Sequence, residues 1–139
     1  MNRRDVMAAS AGMALLTTSA LAQMAHDHDH GSMDNPLAAA AAACVRSGLA
    51  CLDHCLQNFG DPSLAGCARA VDQMIPVTAL VLKLATANSA HLGPMVRVAL
   101  AVCQDCEQEC RKHADQHPTC KACAETCANA IAEYKKLIG

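Results

Sequence analysis

The chain has 139 residues, enough for one small domain. Hydrophobic residues make up 53% of it and aromatics only 1%, with no Trp, so a core must be built from Ala, Leu, Val and Cys, which favours closely packed helices. A formal charge of -2 without a basic stripe argues against a nucleic-acid partner. Ten cysteines imply a disulfide scaffold, a metal site, or both.

Residues 1–22 read as an export signal. Arg3-Arg4 near the start, an apolar run from Met7 to Leu21 and the small-x-small site Ala20-Leu21-Ala22 follow the twin-arginine pattern. The run is too short and too rich in Ala, Ser and Thr for a membrane anchor, so the mature chain, starting near Gln23, is expected to carry no span and to be periplasmic. Residues 23–35 contain His26-Asp27-His28-Asp29-His30 and lack periodicity. They read as a disordered spacer, with a weak site for Cu(II), Ni(II) or Zn(II) as the alternative.

Residues 36–139 read as one bundle of four helices. Asn35-Pro36 supplies an N-cap and a proline at the first helical position, opening a helix over roughly 36–58. Gly60-Asp61-Pro62 ends it and opens a second over roughly 62–87, in which Pro76 is expected to produce a kink. Asn88, Ser89, Gly93 and Pro94 break the chain before a third helix at roughly 94–114. His117-Pro118 starts the fourth, which runs to about 137 with Lys135 and Lys136 in its last turn.

The cysteines follow this frame. Cys103, Cys106 and Cys110 form C-x-x-C-x-x-x-C, and Cys120, Cys123 and Cys127 repeat it. At i, i+3 and i+7 each triplet occupies an arc of about 60° on its helix. Cys44, Cys51 and Cys55 share a face of the first helix. The second offers Cys67, with Val71, Met74 and Thr78 on the same face. Short connections make the helices antiparallel neighbours, an all-α up-down four-helix bundle. Cys55, Cys67, Cys110 and Cys120 then lie nearest one end, Cys51, Cys106 and Cys123 about a turn deeper, Cys103 and Cys127 deeper again, and Cys44 deepest. Leu37, Ala40, Val81, Ala85, Val96, Leu100 and Ile138 are expected to close the other end.

Three chemistries suit such a tube. The cysteines are small buried apolar groups or form cross-helix disulfides. They hold an iron–sulfur cluster, although regular helices leave few backbone amides free to bond sulfide. Or they form a thiolate-rich store for a soft ion such as Cu(I), which accepts two or three sulfurs where zinc wants four. Met74 reads as a core side chain, with a cavity ligand near Pro76 as the alternative, His91 as solvent-exposed, and Asp105, Glu107 and Glu109 as a solvated face. No nucleophile or acid/base pair stands out, so the chain reads as a non-enzyme.

Cys51-Leu52-Asp53-His54-Cys55, Ala87-Asn88-Ser89-Ala90, Val102 to Cys110 and Cys120-Lys121-Ala122-Cys123 together resemble the bacterial copper storage proteins, in particular their exported branch. The resemblance covers roughly 37–137. It implies a bundle whose cavity cysteines bind multiple Cu(I) ions, a homo-oligomer, namely a tetramer, and a periplasmic store supplying a copper-requiring enzyme or chaperone. It also implies that His54 lies at the open end where copper enters. Where family members can carry methionines near the mouth this chain has Asn58 and Leu64, so His54 is expected to act there with His113 or His117. Ala130, Tyr134 and Thr78 occupy places where family members can carry further cysteines, which implies a lower capacity for this chain.

Overall fold

The computed structural model describes residues 35–139. The export signal and the His/Asp-rich tail lie outside them, apart from Asn35. Four helices make up the described chain: α1 (Pro36–Gln57), α2 (Ala65–Thr86), α3 (Leu92–Arg111) and α4 (Pro118–Ile138), with a 3-10 turn at Pro62–Leu64 leading into α2.

Local chemistry sets the boundaries. Asn35 has extended backbone, and its side chain accepts from the Leu37 and Ala38 amides at 3.1 and 3.2 Å, while Pro36 gives up no useful donor. Asp61 does the same for Ser63 at 2.9 Å, opening the 3-10 turn. Asn88 ends α2 in the left-handed region at φ 48, and the Ser89 amide reaches back to the Leu84 carbonyl at 3.0 Å. The third helix starts two residues earlier than the sequence suggests. Gly93 and Pro94 fall inside its first turn, where a missing amide costs nothing because the first amides have no intrahelical acceptor. It also stops at Arg111, and turns fill the chain to Gln116. Helix α2 continues without interruption through Pro76.

Replacing Asn35 with Ala removes the side-chain N-cap of α1. We expect this to cost about 1 kcal/mol and a few degrees of melting temperature in the metal-free protein, measured by circular dichroism.

Helix α1 packs on α2 and α4, and α3 packs on α2 and α4, so sequence neighbours are spatial neighbours and α4 closes the ring on α1. The direction is antiparallel: late Cys51 of α1 meets early Cys67 of α2, and early Cys44 meets mid-helix Met74. By length and composition alone, Pro36–Gln57 and Pro62–Thr86 would pass for membrane-crossing helices. Here both turn a cysteine-bearing stripe inward.

The end remote from the α1–α2 and α3–α4 connections is apolar, as expected. Leu37, Val81, Ala85 and Val96 are buried there, and Ala40, Leu100 and Ile138 pack around them. Ala41, Ala99, Ala130 and Tyr134 complete this core. Glu107 pairs with Arg111 and Glu109 with Lys112 on the outside of α3.

Candidate metal centre

Ten cysteines from four helices are buried along the bundle axis, and all are free thiols. Helices α3 and α4 each contribute a one-sided stripe because their cysteines recur at three or four residues; α1 spaces its three at seven and four, and α2 adds Cys67 alone. The alanines beside them keep the helices close enough for sulfurs on facing helices to touch. Cys67 Sγ lies 3.4 Å from Cys110 and 3.8 Å from both Cys51 and Cys120. Cys51 lies 3.7 Å from Cys120, Cys106 3.9 Å from Cys123, and Cys44 3.5 Å from Cys127.

Four groups emerge in which all sulfurs lie within 4.8 Å of one another: Cys51, Cys55, Cys67 and Cys120; Cys51, Cys110 and Cys123; Cys106, Cys123 and Cys127; and Cys44, Cys103 and Cys127. Cys51, Cys123 and Cys127 each belong to two groups, which links the set into one continuous ladder. The sequence suggests flat tiers, and the structure interleaves them. Cys51 joins the outer quartet, and Cys106 reaches inward to Cys127, because steps of three and four residues on opposed helices do not fall at equal heights.

The sulfur spacing suits a soft ion. Metal–thiolate bonds of about 2.3 Å in a trigonal site set the sulfurs about 4.0 Å apart. The observed contacts of 3.4–4.0 Å therefore need little rearrangement to close on an ion. Three of the groups are triplets and only the outermost is a quartet.

Burial and mutual hydrogen bonding spread the thiol acidities. Burial, with the nearby charge of Cys67, pushes the Cys55 and Cys120 thiols up from 9.0 to about 12 and about 11. Cys67 is held below the ordinary thiol range by S–H donors from Cys110 and then Cys51. Cys103 is lowered in the same way by Cys127 and Cys44. In the outer and inner groups one sulfur is thus favoured as a thiolate and its neighbours stay protonated.

This has a consequence for the metal-free protein. A thiol whose pKa is raised by folding remains protonated where the unfolded chain has already ionised. Between pH 9.0 and about 12 the unfolded state binds fewer protons, and stability falls as pH rises. The lowered thiols add no slope above 9.0. The apo melting temperature should therefore drop steadily from pH 9 to pH 11 in reducing buffer; a flat or rising profile would contradict buried thiols.

At the outer end His54 Nε2 lies 2.9 Å from His117 Nδ1, and His113 stacks edge-on to His117 with ring centroids 6.3 Å apart. His117 sits at the N-cap of α4 but makes no side-chain cap bond, which leaves its ring for His54. Cys55, next to His54, keeps 4% of its surface exposed, the largest value among the ten cysteines. His91 is exposed and remote in sequence from this cluster.

The inner end carries more than cysteines. Met74 is fully buried, as a core residue should be, but its sulfur also lies 3.4 Å from Cys44 Sγ. Thr78 Oγ1 is 3.5 Å from Cys103 Sγ. The Tyr134 hydroxyl is buried without a hydrogen-bond partner, and burial, then the charge of Cys103, holds its phenol above the ordinary range. The signal was present in the i, i+4, i+7, i+11 series Cys67, Val71, Met74, Thr78, which places Met74 and Thr78 on the cysteine face.

Comparison with known proteins agrees with this geometry. A sequence 30% identical over 88 residues, spanning 61% of this chain and 80% of its own length, is the cysteine-rich protein YhjQ of Bacillus subtilis (strain 168). The apo structure of copper storage protein 3 from Bacillus subtilis superposes with a TM-score of 0.67 at 24% identity, over 75% of this chain and 97% of that one. The structure of its Cu(I)-bound form also gives 0.67 at 24%, over 74% and 95%. At that identity the two structures establish the shared fold. The family model described as copper storage protein matches residues 29–138. The chain belongs to the copper storage protein family.

Proposed function

We propose that the bundle stores several Cu(I) ions on its cysteine thiolates. The observation that carries this reading is the continuous ladder of ten buried, reduced sulfurs in overlapping groups. Soft sulfur selects Cu(I) among available ions, and triplets satisfy it where zinc would require four donors. Cys44, Cys51, Cys55, Cys67, Cys103, Cys106, Cys110, Cys120, Cys123 and Cys127 are the proposed ligands. His54 is the proposed exchange ligand at the mouth, with His117 as its ring partner.

Filling is a proton exchange. Each thiol that binds Cu(I) loses its proton, so uptake releases acid and weakens as pH falls. Copper enclosed by helices is kept from cycling with oxygen. This is sequestration rather than catalysis. The ions are released to a copper-requiring enzyme or chaperone.

The same proposal extends to place and assembly. Arg3-Arg4, the following apolar run and Ala20-Leu21-Ala22 support export by the twin-arginine route to the periplasm, where a folded store would be delivered. Leu49, Leu56, Val98 and Leu137 are each about half or more exposed, apolar surface that supports a homotetramer.

Titration of the reduced protein with Cu(I) against a chromogenic chelator tests storage. Several ions held more tightly than by the chelator are expected. A stoichiometry near one would contradict storage, and a brown, iron-containing protein as isolated would support the cluster chemistry instead.

A further inference from the structure

The inner end of the ladder has a donor that is not a cysteine. Met74 Sδ accepts the Cys44 S–H at 3.4 Å, on the edge of the group formed by Cys44, Cys103 and Cys127. Its position is shaped by the facing helix. Gly48 lies one turn beyond Cys44 on α1, and a Cβ there would stand 2.6 Å from the Met74 methyl carbon and 3.1 Å from Ile75 Cγ1. Any larger residue at position 48 would have to displace that methyl. With the methyl lodged against bare backbone, the thioether sulfur is left directed at Cys44.

Charge gives this arrangement a purpose. Three thiolates around one monovalent ion leave two net negative charges, and here they would be in the best-buried part of the bundle. Desolvating such charge is costly unless it is reduced or hydrogen-bonded. A thioether is a soft donor that carries no charge. Thr78 touches Cys103, and the unpartnered Tyr134 hydroxyl, kept protonated by its burial, lies near Cys103, Cys44 and Cys127. The Thr78 hydroxyl can donate to the Cys103 sulfur when it is charged.

We propose that Met74 is a copper ligand, and that its thioether takes the place of one thiolate in a three-sulfur Cu(I) site at the inner end of the tube, beside Cys44 and one of Cys103 and Cys127. The proposal rests on the storage reading and adds a ligand of a different class to it. Loading breaks the S–H bonds of Cys44 and of the second cysteine that binds, sends the protons to solvent and lets Cu(I) bind the two thiolates and the thioether. The copper stays monovalent, so no oxidant or reductant takes part.

Selenomethionine-labelled full-length protein, reduced and loaded with Cu(I), tests it through selenium X-ray absorption. A direct Se–Cu contact is expected in the parent and should lose most of its amplitude in Met74→Leu, a substitution that conserves volume. The chain's other methionines contribute equally to both samples and cancel in the difference. Gly48→Ala, which keeps Met74 but takes its methyl's place, should reduce the same contact. Bound copper with equal Se–Cu amplitude in parent and Met74→Leu, or with none in either, would make Met74 a core filler and overturn the proposal while leaving storage intact. A parent that binds no copper would overturn the storage reading and this site together.

Discussion

Loading the reduced protein with Cu(I) is expected to raise its melting temperature by tens of degrees. Each ion bound only by the folded chain stabilises it by about 4 kcal/mol when free metal exceeds the dissociation constant a thousandfold. The four sulfur groups draw on all four helices, so unfolding would have to break every group. For a domain of this size about 1 kcal/mol corresponds to a few degrees, and several ions together make the shift large. The apo protein should already be folded, because its helices are capped and its reduced thiols pack as small apolar groups. Differential scanning calorimetry of apo and loaded samples in anaerobic buffer measures the difference. Equal melting temperatures would mean that copper sits on the surface or binds the unfolded chain equally well.

Changing both Cys123 and Cys127 to Ala should remove more than half of the Cu(I) capacity. These two residues take part in three of the four groups, so their loss leaves only the outer quartet complete. Cys55 belongs to that quartet alone, and Cys55→Ala should lower capacity only slightly. Both variants should remain helical by circular dichroism, since alanine already lines much of the bundle. Competitive titration gives the capacities. Similar losses from the double variant and from Cys55→Ala would show that the sulfurs act as independent sites instead of a linked ladder.

The cysteine stripes were readable because three- and four-residue spacing has one meaning on a helix. Pro36, Asp61-Pro62 and Pro118 marked helix starts for an equally local reason. The start of α3 was read two residues late, since Pro94 looks the same in sequence whether it occupies the first helical position or a later place in the first turn. The interleaving of the tiers depends on how far each helix slides along its neighbours, which no local pattern encodes. Met74 was placed on the right face, but its direction depends on the space left by Gly48 across the interface. Tyr134 continues the α4 stripe one heptad beyond Cys127, and only packing shows that its hydroxyl ends buried without a partner among the described residues. The partnership of His54 with His117 in preference to His113 follows from an N-cap side chain that makes no cap bond.

Copper K-edge X-ray absorption on the fully loaded, reduced protein probes the convergence of the thiols most directly. Overlapping sulfur groups predict a first shell dominated by sulfur, with two or three donors per ion, and clear copper–copper scattering from ions that share Cys51, Cys123 and Cys127. A first shell of nitrogen or oxygen, or the absence of any copper–copper contribution at full loading, would contradict a common thiolate-lined interior.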